Sequence, residues 1–205
     1  TIIFSQLMHA HGQGVDAMSW QEMVESFMKW VEENKISPVV LAAHNGRKFD
    51  FPVLMSALEN INQIDRFSSV VGAFLDTLAL CQAKLPKRKS YRLESLVESI
   101  LNASYNAHDA LEDVQALDQV FTALNVQDGE WRNFSIAPAD ILNNVKFLDA
   151  KAANIATLHP LVASGVCKMN IAENIAGSGL RLQHLKKIYE IRGYEGLRAT
   201  FTARN

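Results

Sequence analysis

The chain offers no membrane-spanning stretch. Its longest uninterrupted apolar runs, Val39 to Ala43 and Val70 to Leu75, fall far short of the ~18 residues that a crossing helix needs. No basic start followed by an apolar segment is visible, so the sequence shows no secretory signal. Positive charge is not in excess either: 20 Lys and Arg stand against 22 Asp and Glu, a net charge of −2. That balance excludes a nucleic-acid binder working by bulk charge, while leaving a local basic groove open. Cysteine is scarce, and Cys81 and Cys167 make no metal or redox spacing, so both are expected to be buried thiols of a reducing compartment. Low-complexity segments and defensible repeats are absent. What is abundant is apolar mass, 48% of 205 residues, with 20% charged, enough for a sizeable core. At ~150 residues per domain this length suits one domain plus an appendage, or two small ones. The first residue is Thr1, not Met, which is read as a cut or processed front.

Ser19 and Glu22 form a capping-box pattern, and Trp20, Met23, Val24, Phe27, Trp30 and Val31 recur behind it at helical spacing. Residues 19–34 are therefore predicted to be an amphipathic helix. Pro38 breaks it, and the wholly apolar Val39 to Ala43 reads as a buried strand. Phe51, Leu54, Met55 and Leu58 restart the helical period, and Val70 to Leu75 reads as a second strand. Helical stretches follow around 78–83, 93–101 and 110–124, so strand and helix alternate as in an α/β layer. The texture turns polar near 126–136, where the boundary is placed: residues 1–126 form the α/β part and 137–205 an all-helical extension. In the extension Ile141, Val145, Leu148 and Ala152 make one expected apolar stripe, with Ile171, Ile175, Leu182, Leu185 and Ile188 suggesting others.

Two constellations carry chemistry. His44-Asn45-Gly46-Arg47-Lys48-Phe49-Asp50 follows the first strand directly, where an α/β sheet presents its ligands. Asp50 sits at a helix start, either as a cap or as a functional carboxylate, with Phe49 available to pack inward. In the second, His108 precedes a helix and Asp113 lies on its first turn. A surface helix with acidic capping accounts for this spacing as well as a cleft does. Taken together, two carboxylates on separate elements can hold divalent cations, and a loop imidazole can activate water.

The segments at 44–50 and 108–114, with Asp76-Thr77-Leu78 between them, resemble the DEDDh (DnaQ-like) 3′→5′ exonucleases of the ribonuclease-H-like fold. The resemblance covers about residues 19–124. It implies two-metal phosphodiester hydrolysis with Mg²⁺ or Mn²⁺, Asp50 and Asp113 as metal ligands and His108 as general base. Phe49 would be structural, and His44 and Asn45 would shape the turn beneath the substrate. Asp76 would cap the next helix and not bind metal. The family's first motif, Asp-x-Glu, does not occur upstream of His44, where the acids are Asp16, Glu22, Glu25, Glu32 and Glu33. Apart from a possible strand at Ile2-Ile3-Phe4, the opening strands are missing too. An amino-terminally truncated domain, inactive alone, is therefore expected, or else a degenerate relative.

Lys84 to Arg92 packs five cations into one loop, with Lys87 and Arg88 placed to meet phosphates and Tyr91 to stack on a base of a single strand. A solvated loop or a targeting signal fits the same residues. In the extension, Gly177-Ser178-Gly179 resembles a helix-hairpin-helix turn offering amides to a phosphate, or is simply a tight turn. His159 and His184 are expected to be non-catalytic. The stretch from His159 to Leu197 resembles the C-terminal extension of promyelocytic-leukaemia-protein-like exonuclease domains. That resemblance implies a nuclear protein with protein partners. The competing expectation is a catalytically inactive exonuclease-like interaction module.

Overall fold

In the computed structural model, residues 19–34, 38–107, 109–127 and 129–202 are described. The possible strand at Ile2-Ile3-Phe4 lies outside them, as does His108. The chain divides into two compact units that meet in sequence at Leu142 and Asn143.

Among the described residues the first unit is built on three strands, β1 (Val39–Ala43), β2 (Val71–Asp76) and β3 (Ser135–Ile136), in the order β1-β2-β3. β1 and β2 run parallel, pairing Leu41 with Phe74 and Ala43 with Asp76, while β3 is antiparallel to β2. A parallel pair needs a crossover, here made by α2 (Asp50–Asn60) and α3 (Ile64–Val70). α1 (Trp20–Glu33) precedes β1; α4 (Thr77–Lys84), α5 (Leu93–Leu96), its π-helical continuation Val97–Leu101, and α6 (Ala110–Ala123) follow β2.

α1 starts where its sequence says it should. The Glu22 amide donates to the Ser19 hydroxyl at 3.2 Å, and the Ser19 amide donates back to the Glu22 carboxylate at 2.9 Å. Its inward face is Val24, Phe27, Met28 and Val31, whereas Trp20 and Trp30, on the expected stripe, are exposed. These side chains join Val39, Leu41, Phe51, Leu54, Met55, Leu58, Phe67 and Phe74 in the main core. A second cluster, with Cys81, Leu96, Val97, Ala116 and Val120 buried, packs α4–α6 together. Burial pushes the Cys81 thiol up to about 11, so it is inert, while Cys167 is only half-buried.

The second unit contains most of α7 (Pro138–Ala163), α8 (Met169–Gly177) and α9 (Leu182–Thr202). Its core is Leu158, Ala172, Ile175, Ala176 and Leu185. Ile141 and Val145 are buried, but Leu148 is half exposed and Ala152 is exposed. The expected stripe stops at Val145 because the later part of α7 turns Ile155, Leu158 and Leu161 inward instead. Ile171 and Ile188 likewise stay outside the core, and Ile171 is 45% exposed. No described helix is long and apolar enough to cross a membrane.

Candidate active site

β1 ends at Ala43, and the chain reverses through a loop whose shape is set by three anchors. Asn45 takes a left-handed φ of 62°, which asparagine tolerates better than most residues. Gly46 is buried, and its carbonyl accepts the Phe51 amide at 2.9 Å, joining the loop to the first turn of α2. Asp76, at the end of the neighbouring strand, accepts the Asn45 amide (3.0 Å) and the Leu78 amide (3.0 Å) on Oδ1 and the Arg47 amide (3.2 Å) on Oδ2. It caps α4, as its place before that helix predicts, and it also holds the loop from β1. Both its oxygens are committed to backbone.

His44 is part of the same scaffold. Its Nε2 lies 2.7 Å from the Tyr91 carbonyl, which only accepts, so Nε2 carries the hydrogen; Nδ1 lies 3.1 Å from the Thr77 hydroxyl. The imidazole thus ties β1, α4 and the 84–92 loop together, and neither ring nitrogen is left over for a substrate.

Asp50 is the first residue of α2 and is half-buried. Burial holds its carboxyl above the usual carboxylate range; its own amide N–H opposes this, and the Asp76 charge adds to it. No cation compensates it among the described residues, so Asp50 is a carboxylate held at a cost to folding. Because the folded chain binds this proton more tightly than the unfolded chain, stability falls as pH rises through the carboxylate range and stays lower at neutral pH. Asp50→Asn is expected to melt above the wild type at neutral pH, with the gain vanishing below ~pH 3. Melts at the two pH values check this, and a lower neutral-pH melting temperature for the variant would contradict the uncompensated charge.

Beside it the structure corrects one expectation. Phe49 does not pack inward: it is 61% exposed, and Phe51 occupies the core instead, stacked on Phe74 with centroids 4.4 Å apart. Phe49 lies at the cap, before the helical period begins, so the α2 stripe does not include it. Arg47 and Lys48 are exposed as well. Two cations and an aromatic ring therefore stand in solvent next to the half-buried carboxylate.

At the second constellation, Asp109 caps α6 by accepting the Leu111 (3.0 Å) and Glu112 (3.1 Å) amides. Glu112 reaches back to the Asn106 amide at 2.7 Å. Burial first, and then interaction with Asp113 on the first turn of α6, raise the Tyr105 hydroxyl well above its ordinary value. Tyr105 is the site neighbour that motif reasoning missed, since its only signal is being an aromatic residue upstream of the helix.

Among the described residues no three His, Cys, Asp or Glu groups cluster closely enough to hold a metal ion. Asp76 is spent on backbone, Asp113 interacts with Tyr105, and Asp50 has no outside partner among the described residues. The described residues do not by themselves fit the two-cation centre that the motifs imply.

Part of the basic loop is committed to structure. Lys84 pairs with Glu130 at 2.7 Å, the Arg88 guanidinium donates to the Ser99 hydroxyl, and the Tyr91 hydroxyl donates to the Leu85 carbonyl at 2.6 Å. Tyr91 also packs on the α4–α6 core, so its ring is not a free platform. Lys87, Lys89 and Arg92 remain exposed. In the second unit, the glycine turn spends its amides internally: Ser178 donates to Asn174, Gly179 to Ala176 and Leu180 to Ile175, while the Leu182 amide donates to the Thr157 hydroxyl. That leaves a tight turn and no amide cradle for phosphate.

Residues 10–100 match the family model of the Exuperantia RNAse H-like domain, and residues 154–205 match that of the PML C-terminal domain. Among characterised proteins, the chain is 31% identical over 117 residues to an exonuclease of Arabidopsis thaliana, "Exonuclease DPD1, chloroplastic/mitochondrial"; the match covers 52% of this chain and 35% of the plant protein. It is 30% identical over 103 residues to a PolC-type DNA polymerase III of Thermotoga maritima, covering 50% of this chain and 7% of the polymerase. The chain thus spans about a third or less of the length of these relatives. The α/β part is ribonuclease-H-like and exonuclease-like in sequence, and helices follow it.

Proposed function

We propose that this exonuclease-like, ribonuclease-H-like unit seats the end of a nucleic-acid single strand on the loop Arg47–Asp50, as part of a DEDDh-type 3′→5′ exonuclease. One observation carries the proposal: Phe49 stands 61% exposed beside a half-buried Asp50 that has no counter-ion among the described residues, at the carboxyl ends of two parallel strands. An exposed ring gives a base a stacking surface worth about 1–3 kcal/mol, and adjacent cations attract the phosphates. Arg47 and Lys48 supply those cations here, with Lys87 exposed on the 84–92 loop. His44 and Asn45 act on substrate only by shaping the loop.

Asp50 and Asp113 would hold Mg²⁺ or Mn²⁺ only together with further carboxylates, and cations so held would polarise the scissile phosphate. His108, one residue before the α6 cap, would take the proton of the attacking water. No Asp-x-Glu precedes His44 in this sequence, so the 205-residue chain is expected to bind and not to turn over. The same proposal places the chain in the nucleus, with protein partners on its helical unit; a tagged chain excluded from nuclei overturns that part.

The test is anisotropy with a labelled single-stranded oligonucleotide. Binding is expected to weaken with salt, and Phe49→Ala to weaken it about tenfold, the loss of one stacked base. Unchanged affinity in both Phe49→Ala and Lys48→Glu sinks the site. Release of nucleotides in Mn²⁺ by this chain refutes the missing-carboxylate part, provided that Asp113→Ala abolishes it. A second reading, a non-catalytic interaction module, is favoured by the engagement of Asp113 with Tyr105. A chain that binds no oligonucleotide decides for it.

A further inference from the structure

The helical unit holds a cavity that the proposed nuclease chemistry does not use. α9 bends at Gly193, whose φ of 57° and ψ of −151° suit glycine alone. The bend turns one face of each limb toward the other, and the two limbs border an open groove of about 510 Å³. Lys187, Ile188, Ile191 and Arg192 line it from the first limb, Gly196 and Ala199 from the second. Gly196 is buried, and a Cβ there would lie 2.3 Å from the Arg192 Cβ, so the close approach of the limbs depends on its having none.

Three properties of this groove point to one kind of occupant. First, it is aliphatic where it is apolar, and Ile191 is 69% exposed, which is costly without a partner. Tyr189 and Tyr194 are not among its lining residues, so it lacks the stacking surface that bases use. Second, its charged lining is cationic: Lys187 and Arg192 face it without an acid, and neither is in an ion pair among the described residues. Third, the charge is regional. Residues 143–205 carry nine Lys and Arg against four Asp and Glu, although the whole chain is net negative. Aliphatic walls flanked by uncompensated cations are complementary to an amphipathic segment with carboxylates beside its apolar stripe.

We propose that the bend of α9 docks a short, acidic, amphipathic helix of a partner protein, its apolar side chains on Ile188, Ile191 and Ala199 and its carboxylates on Lys187 and Arg192. The groove is then a recognition site independent of the strand-end loop, and it works whether or not the α/β unit binds nucleic acid.

The full 205-residue chain is titrated into a labelled model peptide, leucines at helical i, i+3, i+4, i+7 spacing and glutamates elsewhere. Saturable binding that weakens with salt is expected. Lys187→Glu with Arg192→Glu should weaken it about tenfold or more, and Ile191→Ser should do so without changing the salt slope. Lys187→Arg with Arg192→Lys should keep it. All these positions but Ile188 face solvent, so thermal melts matching the wild type are expected and separate lost binding from lost fold. The proposal is overturned if a lysine-for-glutamate peptide binds equally well or if charge reversal has no effect. Displacement of the peptide by an equally charged oligonucleotide assigns the surface to phosphates and overturns it. So does self-association of the chain that depends on Lys187 and Arg192, which assigns the groove to a second copy.

Discussion

Asp76→Ala is expected to cost the α/β unit about 3 kcal/mol and about 10 °C of melting temperature. The carboxylate is 7% exposed and accepts three amides, from Asn45, Arg47 and Leu78, on two oxygens. A hydrogen bond to a charged group contributes about 1.5–3 kcal/mol net, and a donor left buried without an acceptor costs about 1–3. Three such bonds would sum to more than the expected loss, but the loop amides can reach water once the loop relaxes. Relief of Asp50 works in the opposite direction, since the Asp76 charge is one reason that carboxyl sits high. It is the smaller effect, because Asp76 is the last cause of that shift and burial the first. Asp76→Asn keeps one accepting oxygen and should fall between. A wild-type melting curve for the alanine variant would show that the loop stands without this anchor. Oligonucleotide affinity should fall with stability, because Arg47 and Phe49 follow the loop.

The same residue marks how far the sequence could be read. Asp76 was recognisable as a helix cap because capping is local: its oxygen meets the amide two residues on. Its grip on Asn45 and Arg47 spans some thirty residues of chain and has no local signature. β1, β2, α1 and α2 were legible because each writes its period into one short segment. α3 was not, since it buries only Phe67, and β3 was not, since two residues carry no period. Phe49 was misplaced for the related reason that a cap position stands outside the helical stripe, and the stripe itself correctly pointed to Phe51, Leu54, Met55 and Leu58. Of the candidate site, the carboxylates and loops were visible in order along the chain. Which cations stay free was not, because Lys84 is neutralised by Glu130 from another part of the chain.

Gly46→Val is expected to cost about 2–3 kcal/mol and to weaken oligonucleotide binding beyond what its melting temperature alone accounts for. A Cβ at this position would lie 2.6 Å from the Phe51 ring and 2.7 Å from the Ala43 Cβ, distances real side chains do not adopt. Something must move, and the question is which neighbour yields. The Phe51 ring is 2% exposed and stacked on Phe74, which is fully buried and tilted against Phe67 at 6.2 Å. Interiors this close-packed transmit the push instead of absorbing it. Ala43 is held in β1 by its pairing with Asp76. The loop is therefore what shifts, outward, straining the Phe51-to-Gly46 hydrogen bond and the two loop amides on Asp76. Gly46→Ala should give a smaller loss in the same direction. Phe51→Leu makes room at the ring, so the double variant Gly46→Ala/Phe51→Leu should lose less than the sum of its parts, a coupling measurable in a double-mutant cycle. Additive losses would mean the ring is not the obstacle. The loop that presents Arg47, Lys48 and Phe49 is thus gripped from two sides, by a carboxylate accepting its amides and by a ring that leaves no space for a side chain. Losing either grip should be felt in binding as well as in folding.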